Sequence, residues 1–457
     1  MKQWGLVAVT AVLVAVYHNY FAPQPTVWTA PSQLKLTYFA GAGRAELSRL
    51  ILSAGNVSFE DERLDHDAFL AVKPTLPLGQ VPVLQVDGTT YSQSMAIARY
   101  AAKLTGLYPQ DPLECLRVDM VSESLVDIKS IISDITYREK DEAAKAEKIK
   151  KLLEESVPKT LNLLEGFVKK TGEFFVGNKL SYADLQLFDL AKNGLSNFAG
   201  FSLASYPKLT ALVEKVETNA NVAAYLAKHK SDASSFRHVV LRAGEGGSTN
   251  PQAPNTTMAP SNLKLIYFDG KGRAELARML FNYGGIAFED SRIGHADFAT
   301  LKPTLPFGQV PVLEVDGTVY SQSLAINLYA AKLSGLFPSD NLEALKSDMF
   351  SQSLTEMEGP FVEFMFKTPD ETKKAELKKV FIEETVPKLF TVLEKMVGGK
   401  FILGDKISHV DLQLLDVVAN KIAWVFPTFS LEAHPALAAV VNNVKADPKV
   451  AAYLAKQ

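Results

Sequence analysis

The sequence predicts an α+β protein built twice over: a small α/β sandwich with a mixed sheet, then a nearly all-helical region, then both again. Three observations carry that prediction. First, residues 34 to 109, opening LKLTYFAGAGRAELSRL and closing TTYSQSMAIARYAAKLTGLYP, return at 263 to 338 as LKLIYFDGKGRAELARM and TVYSQSLAINLYAAKLSGLFP. Matching positions, such as Asp119 and Asp348, stand 229 apart with nothing inserted or lost. A period this long marks a duplicated domain, because solenoid units repeat at roughly 20 to 50 residues. Second, each copy opens with strand, helix and hairpin patterns. Third, each continues with helical spacing almost to its end.

The chain of 457 residues is too long for one ordinary core. An apolar fraction of 47% and a charged fraction of 22% describe a folded protein. The net charge of −3 gives no hint of a nucleic-acid partner. Cys115 is the single cysteine, so no intrachain disulfide and no cysteine-based metal site can form. Its repeat partner is Ala344, which favours a buried structural thiol over a nucleophile.

Taken in order, residues 1–30 belong to neither copy. Trp4 to Tyr17 is an uncharged apolar run that extends through Ala22, close to the length of about 20 residues that spans a bilayer. Residues 4–22 read first as an uncleaved signal-anchor and second as a cleaved signal, because Tyr20 and Trp28 spoil the candidate cleavage sites. A buried N-terminal helix is the third reading. The expected localisation is therefore membrane-anchored or secretory, and cytoplasmic if that segment is not a signal.

In residues 31–110, Leu34 to Phe39 reads as a strand and Ala45 to Ser53 as a helix through Leu47, Leu50 and Ile51. Val81 to Val86 is a second clear strand. Asp87-Gly88 then signals a tight hairpin into Thr89 to Tyr91. Ser94 is placed to cap the helix Met95 to Leu104, and Gly106 to end it. Residues 111–228 are helical in pattern, with Leu152, Val157, Leu161 and Leu164 on one face, and Pro158 is expected to kink or break that run. Ser181 with Asp184, and Ser408 with Asp411, read as acidic capping boxes. Residues 229–262, containing GEGGSTNPQAPNTTMAPSN, have linker composition. Residues 263–339 and 340–457 repeat the two halves.

These motifs carry a resemblance. LTYFAGAGRAE, TLPLGQVPVLQVDG and YSQSMAIARYAAKLTGL, with LIYFDGKGRAE, TLPFGQVPVLEVDG and YSQSLAINLYAAKLSGL, resemble the glutathione S-transferase family. The sigma class, which includes the haematopoietic prostaglandin D synthases and the cephalopod lens crystallins, is the most similar. The resemblance implies two tandem units, each a thioredoxin-like α/β domain followed by an all-α helical domain. It implies conjugation of the glutathione thiolate to small hydrophobic electrophiles, with peroxidase or isomerase side activity. The alternative is a non-catalytic glutathione-binding or structural protein of the crystallin kind. Glutathione enters as co-substrate, and no cofactor or metal is implied.

A free thiol has a pKa of about 8.5, so a donor aimed at its sulfur raises the nucleophilic fraction. By resemblance, the donors are the hydroxyls of Tyr38 and Tyr267, supported by Arg44 and Arg273. Val81-Pro82 and Val310-Pro311 match the family's cis-proline, whose preceding residue pairs with the ligand backbone like an added strand. Ser94 and Ser323 join a hydroxyl to a helix N-terminus, suited to the γ-glutamyl carboxylate, with Gln93 and Gln322 beside them. Phe69, Lys73, Phe298 and Lys302 match positions near the glycyl end, where relatives often carry tryptophan for phenylalanine. Asp127 and Glu356 match an acidic residue that reaches across to the partner's γ-glutamyl amine. The copies are thus expected to form an intrachain pseudo-dimer, with Asp127 serving the Tyr267 site and Glu356 the Tyr38 site. Further self-association of the whole chain is compatible with this arrangement.

Other motif readings fail. Gly41-Ala42-Gly43 and Gly270-Lys271-Gly272 suggest a dinucleotide loop, but Glu46 and Glu275 stand where its third glycine belongs. His66 and His295 lie in acidic loops and read as surface residues.

Overall fold

Strand β1 (Leu34–Phe39) forms where apolar side chains recur along an extended stretch, and Leu34 and Leu36 are buried beneath it. This computed structural model describes residues 31–230, residue 260 and residues 262–456. Helix α1 (Glu46–Ala54) buries Leu47, Leu50 and Ile51 and returns the chain to β2 (Glu60–Leu64), parallel to β1. Strands β3 (Val83–Val86) and β4 (Thr89–Tyr91) complete a mixed sheet of order β2-β1-β3-β4. Asp87 and Gly88 join β3 to β4 with φ of 46° and 87°. Positive φ at both central residues is the geometry that matches the twist of a two-residue hairpin.

Helix α2 (Ser94–Leu104) follows, and Gly106 adopts φ of 70° just past its end. The expected Ser94 cap is not formed. Ser94 is the first helical residue, and the capping position is held by Gln93, whose side chain makes no capping hydrogen bond. The helical region contains α3 (Pro112–Ser133) and α4 (Tyr182–Asp189). Asp184 at the start of α4 accepts from the Ser181 backbone N–H at 2.7 Å and from its hydroxyl at 2.6 Å.

Pro158 does not break its run. It is the second residue of helix Val157–Thr171, and the wide π-helical turn Leu152–Ser156 just before it absorbs the missing backbone donor. Pro387 follows the turn Phe381–Thr385 in the same way.

The second copy supplies β5 (Leu263–Phe268), α5 (Glu275–Tyr283), β6 (Glu289–Ile293), β7 (Val312–Val315), β8 (Thr318–Tyr320) and α6 (Ser323–Leu333). Its sheet has the order β6-β5-β7-β8. Its helical region contains α7 (Asn341–Glu356) and α8 (His409–Asp416). Here the copies diverge: α3 runs on to Ser133, whereas α7 stops at Glu356 and resumes as Glu358–Val362. Pro360 is the reason, because its ring excludes the carbonyl four residues earlier, that of Glu356.

The copies pack helix to helix, α2 on α7 and α6 on α3. Each brings a methionine to the other: Met349 Sδ accepts from Ser92 N at 3.2 Å, and Met120 Sδ from Ser321 N at 3.2 Å. Between them lies a buried charge cluster. Arg99 reaches Asp119 at 3.4 Å within its own copy and Asp348 of the other at 3.2 Å. Lys332 donates to the Tyr108 hydroxyl at 2.8 Å, and Tyr108 and Tyr182 both donate to Asp119. Cys115 is buried and donates to Pro109 O, and burial pushes its thiol up to about 11.

The expected localisation requires correction. No helix among the described residues is long and apolar enough to cross a membrane. Residues 4–22, on which the membrane or secretory reading rested, lie outside the described residues, as does nearly all of the linker.

Candidate active site

Tyr38 sits at the end of β1, where the following turn brings the chain back over its ring. Its hydroxyl accepts a hydrogen bond from the Arg44 backbone N–H at 3.1 Å, and the Tyr267 hydroxyl accepts from Arg273 N at 3.2 Å. Each phenol thereby keeps its own proton free to donate elsewhere. The turn demands glycine. Gly43 and Gly272 have φ of 47° and 45°, and an added Cβ at either would stand 2.5 Å from the tyrosine oxygen. These two glycines, read at first only as a failed dinucleotide loop, are what admit the hydroxyls.

Gln93 and Gln322 share φ of 74°, which aims each side chain off the helix start toward the other copy. Gln93 Nε2 donates to Ser353 Oγ at 3.1 Å, and Gln322 Nε2 donates to Asp127 Oδ2 at 2.9 Å and to Ser124 Oγ at 3.3 Å. Asp127 therefore meets the copy that carries Tyr267. Glu356 lies on the other side of the pseudo-axis. It lines a cavity of about 290 Å³ together with Arg44, Gln93, Ser94, Glu123 and Lys129. Burial pushes the Glu123 carboxyl up to about 7, against the pull of Arg99.

Val81-Pro82 and Val310-Pro311 are cis peptides immediately before β3 and β7, with both prolines buried. Phe69 packs edge-on against Phe39 at 5.1 Å, and Phe298 packs in the same way on Phe268. Lys73 is exposed, with its ammonium 5.8 Å from the Phe69 ring, and Lys302 is exposed likewise. Phe69, Lys73, Val81 and Pro82 do not line the cavity that holds Arg44 and Ser94. Ser323 opens α6 as Ser94 opens α2. His66 and His295 are exposed, and among the described residues no three His, Cys, Asp or Glu side chains converge as metal ligands.

Sequence reasoning missed one pair. Lys129 Nζ donates to Gly43 O at 3.0 Å and to Asp189 Oδ2 at 2.7 Å, which places an ammonium against the turn that carries Arg44. The matching position in the second copy is Glu358. Its carboxylate lies 2.6 Å from Lys421 and 3.5 Å from Arg273. Burial would raise this carboxyl, but Lys421 and Arg273 outweigh it and hold the group below its ordinary value. The signal was present, since few positions in otherwise matching helices reverse charge.

Both copies match known families over most of their length. Residues 34–103 and 263–332 match the family described as Glutathione S-transferase, N-terminal domain, and residues 126–229 and 355–457 match Glutathione S-transferase, C-terminal domain. Hematopoietic prostaglandin D synthase of Mus musculus is 36% identical over 194 residues, 42% of this chain and 95% of that protein. Glutathione S-transferase 1 of Ascaris suum is 36% identical over 200 residues, 43% of this chain and 96% of the relative. An S-crystallin of Nototodarus sloanii is 33% identical over 199 residues, 42% of this chain and 95% of the crystallin.

Proposed function

This chain belongs to the glutathione S-transferase family, near its sigma-class members, and is a glutathione transferase; from that premise we propose that both copies conjugate glutathione to small hydrophobic electrophiles. The observation that carries the reading is the hydroxyl geometry. Each tyrosine oxygen accepts from a backbone N–H, at Arg44 or Arg273, and so has its O–H proton to give to the glutathione sulfur. A hydrogen bond made to the anion favours the anion, so the bound thiol ionises below its free pKa of about 8.5.

The thiolate then attacks carbon. With an aryl halide, the S–C bond forms and the halide leaves with its bonding pair. With an unsaturated ketone, the π pair moves to the enolate, which takes a proton from water. Arg44 and Arg273 support the developing charge. Ser94 and Ser323, each at a helix N-terminus, hold the γ-glutamyl carboxylate, and Val81 and Val310 pair with the peptide. Phe69 with Lys73, and Phe298 with Lys302, border the glycyl end. Asp127 serves the γ-glutamyl amine at the Tyr267 site, in keeping with its bond to Gln322, and Glu356 serves the Tyr38 site. Peroxidase and isomerase turnover would draw on the same thiolate.

The test is the initial rate with glutathione and chlorodinitrobenzene for the full chain, Tyr38→Phe, Tyr267→Phe and the double variant. Partial loss in each single variant and a fall of about tenfold or more in the double one are expected. A rate near background in all four proteins would sink the reading.

A further inference from the structure

The two sites are unlike in charge. In the first copy Lys129, on α3, points its ammonium at the tyrosine turn and lines the cavity beside Arg44. Two of its three protons are used, on Gly43 O and on the buried carboxylate of Asp189. One donor remains, on a side chain 31% exposed. In the second copy the same position holds Glu358, and the cation has moved to Lys421 on the neighbouring segment, where the first copy has Gly194. Glu358 spans Lys421 and Arg273, so the arginine that supports the second site faces a carboxylate. Arg44 has no carboxylate within 4.0 Å among the described residues.

We propose that Lys129 and Glu358 give the two sites different electrophile selectivity: the Tyr38 site takes electrophiles bearing a carboxylate, and the Tyr267 site takes uncharged ones. The inference rests on the transferase reading above. Lys129 offers an incoming carboxylate an ammonium proton beside the exposed guanidinium of Arg44, a pairing that charge-assisted hydrogen bonds favour. That guanidinium makes no close ion pair among the described residues, although Glu356 lines the same cavity and attracts it. Glu358 presents the same substrate with a like charge and occupies the guanidinium that would otherwise receive it. Two differences run the other way: Glu123 lines the first cavity where the second copy has Gln352, its charge offset by Arg99 at 3.5 Å, and one further cation belongs to the second copy. Lys271, in place of Ala42, donates to Asn420 at 3.0 Å from an exposed position, where solvent and salt screen it.

Full-length Tyr267→Phe leaves only the first site, and Tyr38→Phe only the second. The measurement is kcat/KM with ethacrynic acid and with its methyl ester, unsaturated ketones that differ by one carboxylate charge and react by the same addition. The acid-to-ester ratio is expected to be roughly three- to fivefold higher at the Tyr38 site, the scale of a half-exposed charge pair, and to shrink in 0.5 M salt. Lys129→Gln, which keeps a donor toward Gly43 O and Asp189, should lower the ratio in the Tyr267→Phe protein, mostly through KM. Glu358→Gln should raise it in the Tyr38→Phe protein, and Lys271→Ala should leave it unchanged. Retained ester turnover shows that each variant is folded. Equal ratios at the two sites, or a higher one at the Tyr267 site, would overturn the proposal while the transferase reading stood. Loss of both reactions in both single-site proteins would overturn that reading, and this inference with it.

Discussion

Arg99 of one copy meets Asp348 of the other at 3.2 Å with both side chains buried, and the position equivalent to Arg99 in the second copy is Leu328. One guanidinium thus serves carboxylates on both sides of the pseudo-two-fold axis, Asp119 and Asp348. Asp119 has Tyr108 and Tyr182 as additional donors, whereas Phe337 and His409 occupy the matching positions around Asp348. Arg99→Leu should cost about 3–5 kcal/mol of stability, because it leaves a buried carboxylate without its partner. The check is the denaturant midpoint of the full chain. Leu328→Arg, which adds a further cation to a cluster that already holds Arg99, Lys103 and Lys332, should not stabilise it.

His409 makes one contribution to the acid limb of the stability profile whose sign is fixed. Burial pulls its imidazole down to about 4, against the raising influence of Asp348. The unfolded chain takes up this proton at about 6.5 while the native protein refuses it, so this group's contribution falls as pH drops from about 6.5 toward 4, by up to about 3 kcal/mol. Glu123, raised to about 7, and Asp184 and Asp416, raised to about 6, contribute with the opposite sign. Relative to the parent protein, His409→Phe should gain stability at pH 4.5 over pH 7, read as the change in urea midpoint between the two pH values.

Gly43→Ala places a methyl group against the Tyr38 hydroxyl and imposes positive φ on a residue with a side chain. In the Tyr267→Phe protein, conjugation should fall at least about tenfold, with a stability loss of about 1–2 kcal/mol. The reciprocal Gly272→Ala should do the same to the Tyr38→Phe protein. Full activity in either case would separate the hydroxyl from the chemistry.

Asp127 reaches the second copy from the first, so its effect should cross the chain. Asp127→Ala is expected to raise the KM for glutathione several-fold when Tyr267 is the working site and to leave it unchanged when Tyr38 is. The opposite assignment would mean that each copy completes its own site.

Much of this was legible in the sequence because the repeat presents every motif twice. Leu34 to Phe39, the Asp87-Gly88 hairpin and both capping boxes depend on neighbours a few residues apart, and those patterns survive folding unchanged. Ser94 was misplaced by one position because the unusual φ of Gln93 leaves no trace in composition. Pro158 was read as a break because a wide helical turn has no pattern of its own. The charge cluster around Arg99, and the exchange of Lys129 for Glu358, were missed for a different reason. Charges on amphipathic helices ordinarily face solvent, and only the packing of four separate helices shows that these do not.

Joining the copies also changes how the interface can vary. Two identical subunits meeting on a two-fold axis receive each substitution twice, so a change must suit both sides at once. Within a single chain a substitution lands on one side only. Leu328 opposite Arg99, and Gln352 where the first copy has Glu123, are one-sided changes of this kind. A second copy paired with itself would enclose two Asp348 carboxylates and neither Arg99 nor an equivalent guanidinium, so the tandem chain holds a partner that its second half does not itself supply.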